Sequence, residues 1–167
     1  MSPVCSLSGH FLLRRLGEDD VPAVLALCAR NELYFRYFPP PATEESIRAD
    51  MAALPPGKTA EEKYYLGYFS EKKLMAVLDL ILRYPDEETA FIGFFMVERS
   101  AQRRGLGSSL IGELCAALRA EGFNRLRLAW VKDNPQAAHF WKKNGFNEVQ
   151  TLQDAGGRTV VLAEKNL

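Results

Sequence analysis

The chain has 167 residues, 47% of them hydrophobic and 25% charged, which suits one compact domain over residues 1–167 and excludes a disordered or low-complexity chain. Its 21 Lys and Arg balance 21 Asp and Glu, so no overall field recruits nucleic acid or an anionic membrane surface. Three scattered cysteines without a CxxC pair (Cys5, Cys28, Cys115) and only two histidines (His10, His139) imply a reduced, cytoplasmic chain in which no metal is expected.

The opening MSPVCSLSGH has neither the basic start nor the apolar stretch of a leader, and no apolar run approaches a membrane span, so a soluble, untargeted protein is expected. Phe11 to Leu16 reads as a strand. Glu18-Asp19-Asp20 and Pro22 then suit a helix start, with Val21, Val24, Leu25 and Cys28 forming one apolar stripe to about Asn31. Thr43 caps a second short helix carrying Ile47, Met51 and Leu54, which Pro55-Pro56-Gly57 ends. Between the two helices runs the aromatic connection Tyr34-Phe35-Arg36-Tyr37-Phe38, closed by three prolines. Tyr64 to Phe69, Leu74 to Tyr84 and Ala90 to Glu98 read as three antiparallel strands joined by polar turns. A long helix follows from Gly105, with Leu106, Leu110, Ile111, Leu114, Cys115 and Leu118 on one face and Gly122 as its stop. Arg125 to Val131 is a strand, Pro135 to Lys143 a short helix stopped by Asn144-Gly145, and Phe146 to Thr151 and Arg158 to Glu164 are the last strands. The order βααβββαβαββ predicts a mixed sheet covered by helices, with a right-handed parallel crossover from 90 to 131.

The stretch from Val97 to Ser109 joins an apolar strand to the long helix, and such a junction suits an anion. The first amides of a helix lack internal partners and lie at the positive end of its dipole. Gly105 and Gly107 let phosphate oxygens approach the main chain, and Arg103, Arg104, Ser108 and Ser109 add charge and hydroxyls. Two glycines easing a turn into a core helix is the plainer reading of a lone GxG, and the spacing matches neither GxGxxG nor GxxxxGK[ST].

Gln102-Arg103-Arg104-Gly105-Leu106-Gly107 resembles the Q/R-x-x-G-x-G/A motif of the GNAT acetyltransferase superfamily, and Asn134 to Phe146 resembles that family's N-x-x-A-x-x-F/L-Y-x-x-x-G-F element. The resemblance is specific over about 90 to 147 and weak between 31 and 63. It implies an α/β GNAT acyl-CoA N-acyltransferase fold, a mixed central sheet with splayed parallel strands and flanking helices. It also implies acetyl-CoA as co-substrate, held by backbone groups of Phe95, Met96 and Val97, by Arg103, Arg104, Gly105, Leu106, Gly107 and Ser108 at the pyrophosphate, and by Asn134 and Trp141. The activity implied is N-acetyl transfer to a primary amine, of a small molecule or of a protein, by direct attack in a ternary complex. A non-catalytic acyl-CoA-binding or sensor domain is the alternative, and a homodimer is left open.

Trp141 stands where many relatives carry a tyrosine acid; its indole N–H donates a hydrogen bond but supplies no proton near neutral pH. A wall beside the sulfur and a plain core aromatic are equal readings of it. The acceptor must also shed a proton: a lysine-like amine of pKa ~10.4 faces a deficit of about 4.6 kcal/mol at pH 7. Asp79, Glu98 and Asp133 are the candidate bases, with a paired or solvated Asp79 the stronger reading. Ala129 stands where some relatives carry a glutamate base. Tyr34, Arg36 and Tyr37 are the candidate acceptor residues, suited to an amine with an apolar or carboxylate-bearing body, or alternatively aromatic cover with Arg36 in water. His139 reads as a surface or capping residue in preference to a catalyst.

Overall fold

The computed structural model describes residues 10–167; Cys5 and the leader reading of the first nine residues lie outside the described residues. The strands are β1 (Leu12–Arg15), β2 (Lys63–Ser70), β3 (Lys73–Ile81), β4 (Thr89–Val97), β5 (Arg125–Val131), β6 (Asn147–Gln153) and β7 (Thr159–Asn166). They form one sheet in the order β1-β2-β3-β4-β5-β7-β6. Every neighbouring pair is antiparallel except β4 and β5. The helices are α1 (Val21–Ala29), α2 (Glu32–Tyr37), α3 (Glu44–Ala52), α4 (Leu106–Ala120) and α5 (Pro135–Lys143).

Alternation along the strands divides the core into two layers. On one face Val77 and Met96 pack with Leu16, Val24 and Leu27 of the α1 region and Ile47 of α3. On the other, Leu78 and Ile92 pack with Leu110, Ile111 and Leu114 of α4, and with Trp141 of α5. Thr43 caps α3, its hydroxyl accepting from the Ser46 amide at 3.0 Å. Gly122 and Gly145 follow α4 and α5 with φ of +92° and +90°, left-handed values at which a side chain is strained.

The structure departs from the sequence reading in α2. The aromatic connection is itself helical over Glu32–Tyr37, six residues too few for a periodic signal, with Tyr34 against the rings of Phe35, Phe38 and Phe94. β3 also stops at Ile81, short of the expected Tyr84, and Arg83 turns with φ +54°.

Two irregularities in β4 position the site. The register passes from Asp79↔Phe94 to Leu80↔Ile92, so Gly93 is an extra residue on β4. A Cβ there would meet Asp79 Oδ2 at 2.7 Å, too close for any side chain without movement. Parallel pairing with β5 runs from Thr89↔Arg125 only to Ile92↔Leu128, whereas β5 stays paired with β7 as far as Val131↔Val160. Beyond Leu128 the two central strands therefore diverge.

Candidate active site

The divergence opens a cavity of about 220 Å³. Gly93, Phe94 and Phe95 of β4 form one wall and Ala129 to Val131 of β5 the other; Asn134, Ala137 and Trp141 close one side and Tyr34, Phe38 and Asp154 another. Glu98 N donates to Met75 O at 2.7 Å, which fixes the phase of the β3–β4 ladder. Antiparallel bonding alternates, so Met96 and Phe94 turn their amides and carbonyls toward β3 while Phe95 and Val97 turn theirs away, into the gap. Of the three residues expected to offer backbone groups, Met96 is engaged with Val77 across the ladder.

The turn after β4 is tied down from both sides. Val97 O accepts from Gln102 Nε2 at 2.9 Å and from Asn31 Nδ2 at 3.3 Å, and Gln102 Nε2 also donates to Asn31 Oδ1 at 2.6 Å. Buried Asn31 thus links α2, which it precedes, to the strand end and the turn. The sequence reading used Gln102 only as a motif position and missed Asn31, a lone polar residue after an apolar stripe. Gly105 precedes α4 with φ +81°, a left-handed turn that tips the chain into the helix. Among the described residues the amides of Arg103 to Ser108 donate no backbone hydrogen bond; Ser109 is the first to do so, to Gly105 O at 2.9 Å. Arg103 and Arg104 are exposed beside them, and Ser108 Oγ accepts from Asn144 Nδ2 at 3.1 Å. Six free amides with two guanidinium groups suit a multiply charged anion such as a pyrophosphate.

Trp141 is 8% exposed and packs against the rings of Phe95, Phe140 and Phe146 at centroid distances of 5.8, 4.8 and 5.2 Å. It is at once core aromatic and cavity wall. Asn134 caps α5, its Oδ1 accepting from Ala137 N at 3.1 Å. Tyr34 lines the cavity, and burial raises its hydroxyl well above the ordinary phenol range, so it stays protonated. Arg36 is exposed, and neither it nor Tyr37 lines the cavity. Of α2 only Tyr34 lines the cavity, with Phe38 following the helix end, while Phe35 packs on the core.

None of the expected bases lines the cavity. Asp79, 7% exposed, points to the α1–α3 face and pairs with Lys63 at 3.1 Å. Lys63 Nζ also donates to Asp50 O at 2.6 Å and Ala53 O at 2.7 Å, completing the end of α3. Burial raises the Asp79 carboxyl, against the pull of Lys63. Glu98, 2% exposed, accepts from Arg30 Nε at 2.9 and 3.0 Å and from its Nη2 at 2.5 Å. Burial opposes its ionisation, but Arg30 prevails and holds it below the usual carboxylate range. The pair therefore stabilises the fold at neutral pH, a contribution lost as pH falls through the carboxylate range. Asp133 and His139 are exposed. The buried thiols offer no nucleophile: burial pushes Cys28 up to about 11 and raises Cys115, and neither lines the cavity.

Asp154, in the turn between β6 and β7, was not foreseen. Among the described residues it is the one charged residue that lines the cavity.

Residues 28–146 match the Acetyltransferase (GNAT) family, well over half of the chain, and the protein belongs to that family. In fold it is similar to an acetyltransferase from Thermus thermophilus (TM-score 0.75, 22% identity, covering 94% of this chain and 97% of that one). It is also similar to the ribosomal-protein-S18-alanine N-acetyltransferase of Escherichia coli (0.67, 19%, 93% and 93%). A third similar fold is the paia N-acetyltransferase of Thermoplasma acidophilum, solved in complex with coenzyme A (0.67, 18%, 94% and 99%). No curated protein matches the chain by sequence. Among the described residues no helix is long and apolar enough to cross a membrane.

Proposed function

We propose that the cleft binds acetyl-CoA and that the protein transfers its acetyl group to a primary amine. The observation carrying this reading is the conjunction of a forced split between two parallel strands with a turn of unpaired amides at the split's open end. The amides of Arg103 to Ser108 receive the pyrophosphate, Phe95 offers its backbone groups to the pantetheine arm, and Asn134 and Trp141 flank it. The coenzyme supplies an activated thioester. The Val97 N–H, aimed into the gap, polarises its carbonyl as an oxyanion donor does. A neutral amine in the space beside Tyr34 forms the new C–N bond, the C–S bond breaks, and one nitrogen proton ends on the thiolate. With a thiol pKa of about 8.5, that protonation needs no dedicated acid near neutral pH.

Trp141→Phe therefore lowers kcat by about tenfold or less, through loosened packing alone, with acetyl-CoA affinity kept. A loss beyond about a hundredfold at intact affinity contradicts this role. Tyr34→Ala raises the acceptor KM about tenfold while Arg36→Ala leaves it within about twofold, both at unchanged acetyl-CoA affinity. Equal effects contradict the assignment of the cavity wall. The ascending limb of kcat/KM tracks the pKa of each acceptor amine across an amine series, because among the described residues the wall holds no carboxylate that titrates near neutrality. A fixed midpoint across the series contradicts it.

A non-catalytic acyl-CoA-binding domain is the second reading, favoured by the absence of Asp79 and Glu98 from the cavity and by Trp141. Acetyl-CoA turnover with a panel of amines separates the two: free coenzyme A and an acetylated amine in equal amounts support the enzyme, binding without turnover the sensor.

A further inference from the structure

The β6–β7 turn carries Asp154, among the described residues the one charged residue that lines the cavity, and its carboxylate is held rigidly. Asp154 Oδ1 accepts from the amides of Gly156 and Arg158, each at 2.9 Å, and Oδ2 accepts from Arg158 Nε at 2.8 Å. The Asp154 amide in turn donates to Arg158 O at 2.9 Å. Burial works against the charge, yet these bonds and the Arg158 charge outweigh it and keep the carboxyl ionised. A carboxylate has about four acceptor positions, so Oδ2 retains one. The Arg158 guanidinium lies over the Phe38 ring, 3.9 Å from its centre, which fixes the turn against the end of α2. Elsewhere the wall is mostly apolar or aromatic: Phe38, Phe94, Ala129, Val131 and Val160. Among the described residues no Lys or Arg lines it, and Arg36, the cation that would suit a substrate carboxylate, is exposed outside. The Arg158 guanidinium is committed to Asp154 and the Phe38 ring, so a substrate carboxylate drawn in here would lose its water with no lining cation to receive it.

We infer that Asp154 selects the acceptor: its carboxylate receives the ammonium of an amine on an apolar or aromatic body and excludes amines that carry a carboxylate beside the nitrogen. The inference rests on the acetyltransferase reading and narrows its substrate class to carboxylate-free amines, against free amino acids. Asp154 acts in binding, and the proton is lost to solvent before attack.

The test pairs each amine with its α-carboxylate counterpart: 2-phenylethylamine with phenylalanine, and 3-methylbutylamine with leucine, at saturating acetyl-CoA. The amines are expected to react with kcat/KM at least about tenfold above the amino acids. Two variants separate charge from turn geometry. Asp154→Asn keeps an oxygen for the two turn amides but loses the charge; it is expected to raise the KM for 2-phenylethylamine about tenfold, with kcat and acetyl-CoA affinity within about twofold. Asp154→Glu keeps the charge on a longer arm that gives up the turn bonds, and its KM is expected to fall between the other two. A KM worse for Asp154→Glu than for Asp154→Asn shows a structural turn and overturns the inference. So does equal or better turnover of the amino acids, or turnover of none of the four while acetyl-CoA binds. Failure to bind acetyl-CoA overturns the underlying reading.

Discussion

Gly107→Glu is expected to abolish acetyl-CoA binding, lowering affinity by more than about a hundredfold, because it sets a carboxylate among the amides and guanidinium groups proposed to receive the pyrophosphate. Gly107 lies in the first turn of α4, where a Cβ would stand 3.1 Å from the Phe140 ring and 3.6 Å from Val97. Any side chain there asks the ring to move by a few tenths of an ångström, so size and charge must be separated. Gly107→Ala supplies the size alone and is expected to cost acetyl-CoA less than about tenfold, with a modest loss of stability. Titration calorimetry of both variants, with thermal melting to establish that each is folded, decides it. Gly107→Ala as harmful as Gly107→Glu contradicts the anion site and leaves only packing.

Lys63→Met is the most destabilising single change expected, about 3–5 kcal/mol. It strands the buried Asp79 carboxylate, whose Oδ1 already lacks a partner, and it removes the donor to the carbonyls of Asp50 and Ala53. In a chain of this size that is a fall in Tm of roughly 10 °C. Replacing both partners, Lys63→Met with Asp79→Leu, removes the desolvated charges together and is expected to restore most of the loss. The sign of the pH dependence follows from the raised Asp79 carboxyl. An acid whose folded-state pKa lies above its unfolded value destabilises as it ionises, so the Lys63→Met deficit is largest at neutral pH and shrinks toward the ordinary carboxylate range near pH 4. A deficit independent of pH, or a double variant no better than the single, contradicts the pairing.

What was legible in the sequence follows from chain punctuation. Gly105, Gly122, Pro135 and Gly145 bound α4 and α5, and between them the apolar period decides helix or strand, so the segment holding the anion turn is readable residue by residue. The split between β4 and β5 is less so: the bulge at Gly93 depends on which β3 residue it opposes, and that register is tertiary. The partners of the buried carboxylates are hidden for the same reason. The partner of Glu98 is Arg30, 68 residues away, and that of Asp79 is Lys63 on the neighbouring strand. The alternation of β3 says that Asp79 shares a face with Val77 and Ile81, but not which face borders the cleft. Asp154-Ala155-Gly156-Gly157-Arg158 reads as any polar turn until β6 and β7 bring it against Phe38.

The proposed placement puts acetyl-CoA in the split with its pyrophosphate on the amides after β4. Amide chemical shifts of ¹⁵N-labelled protein during acetyl-CoA titration test it directly. The predicted result is saturable perturbation greatest at Arg103 to Ser108, Phe95 and Val97, with the amides of α3 and β1 unmoved. Saturable binding that leaves Arg103 to Ser108 unperturbed, or no binding at all, would contradict it.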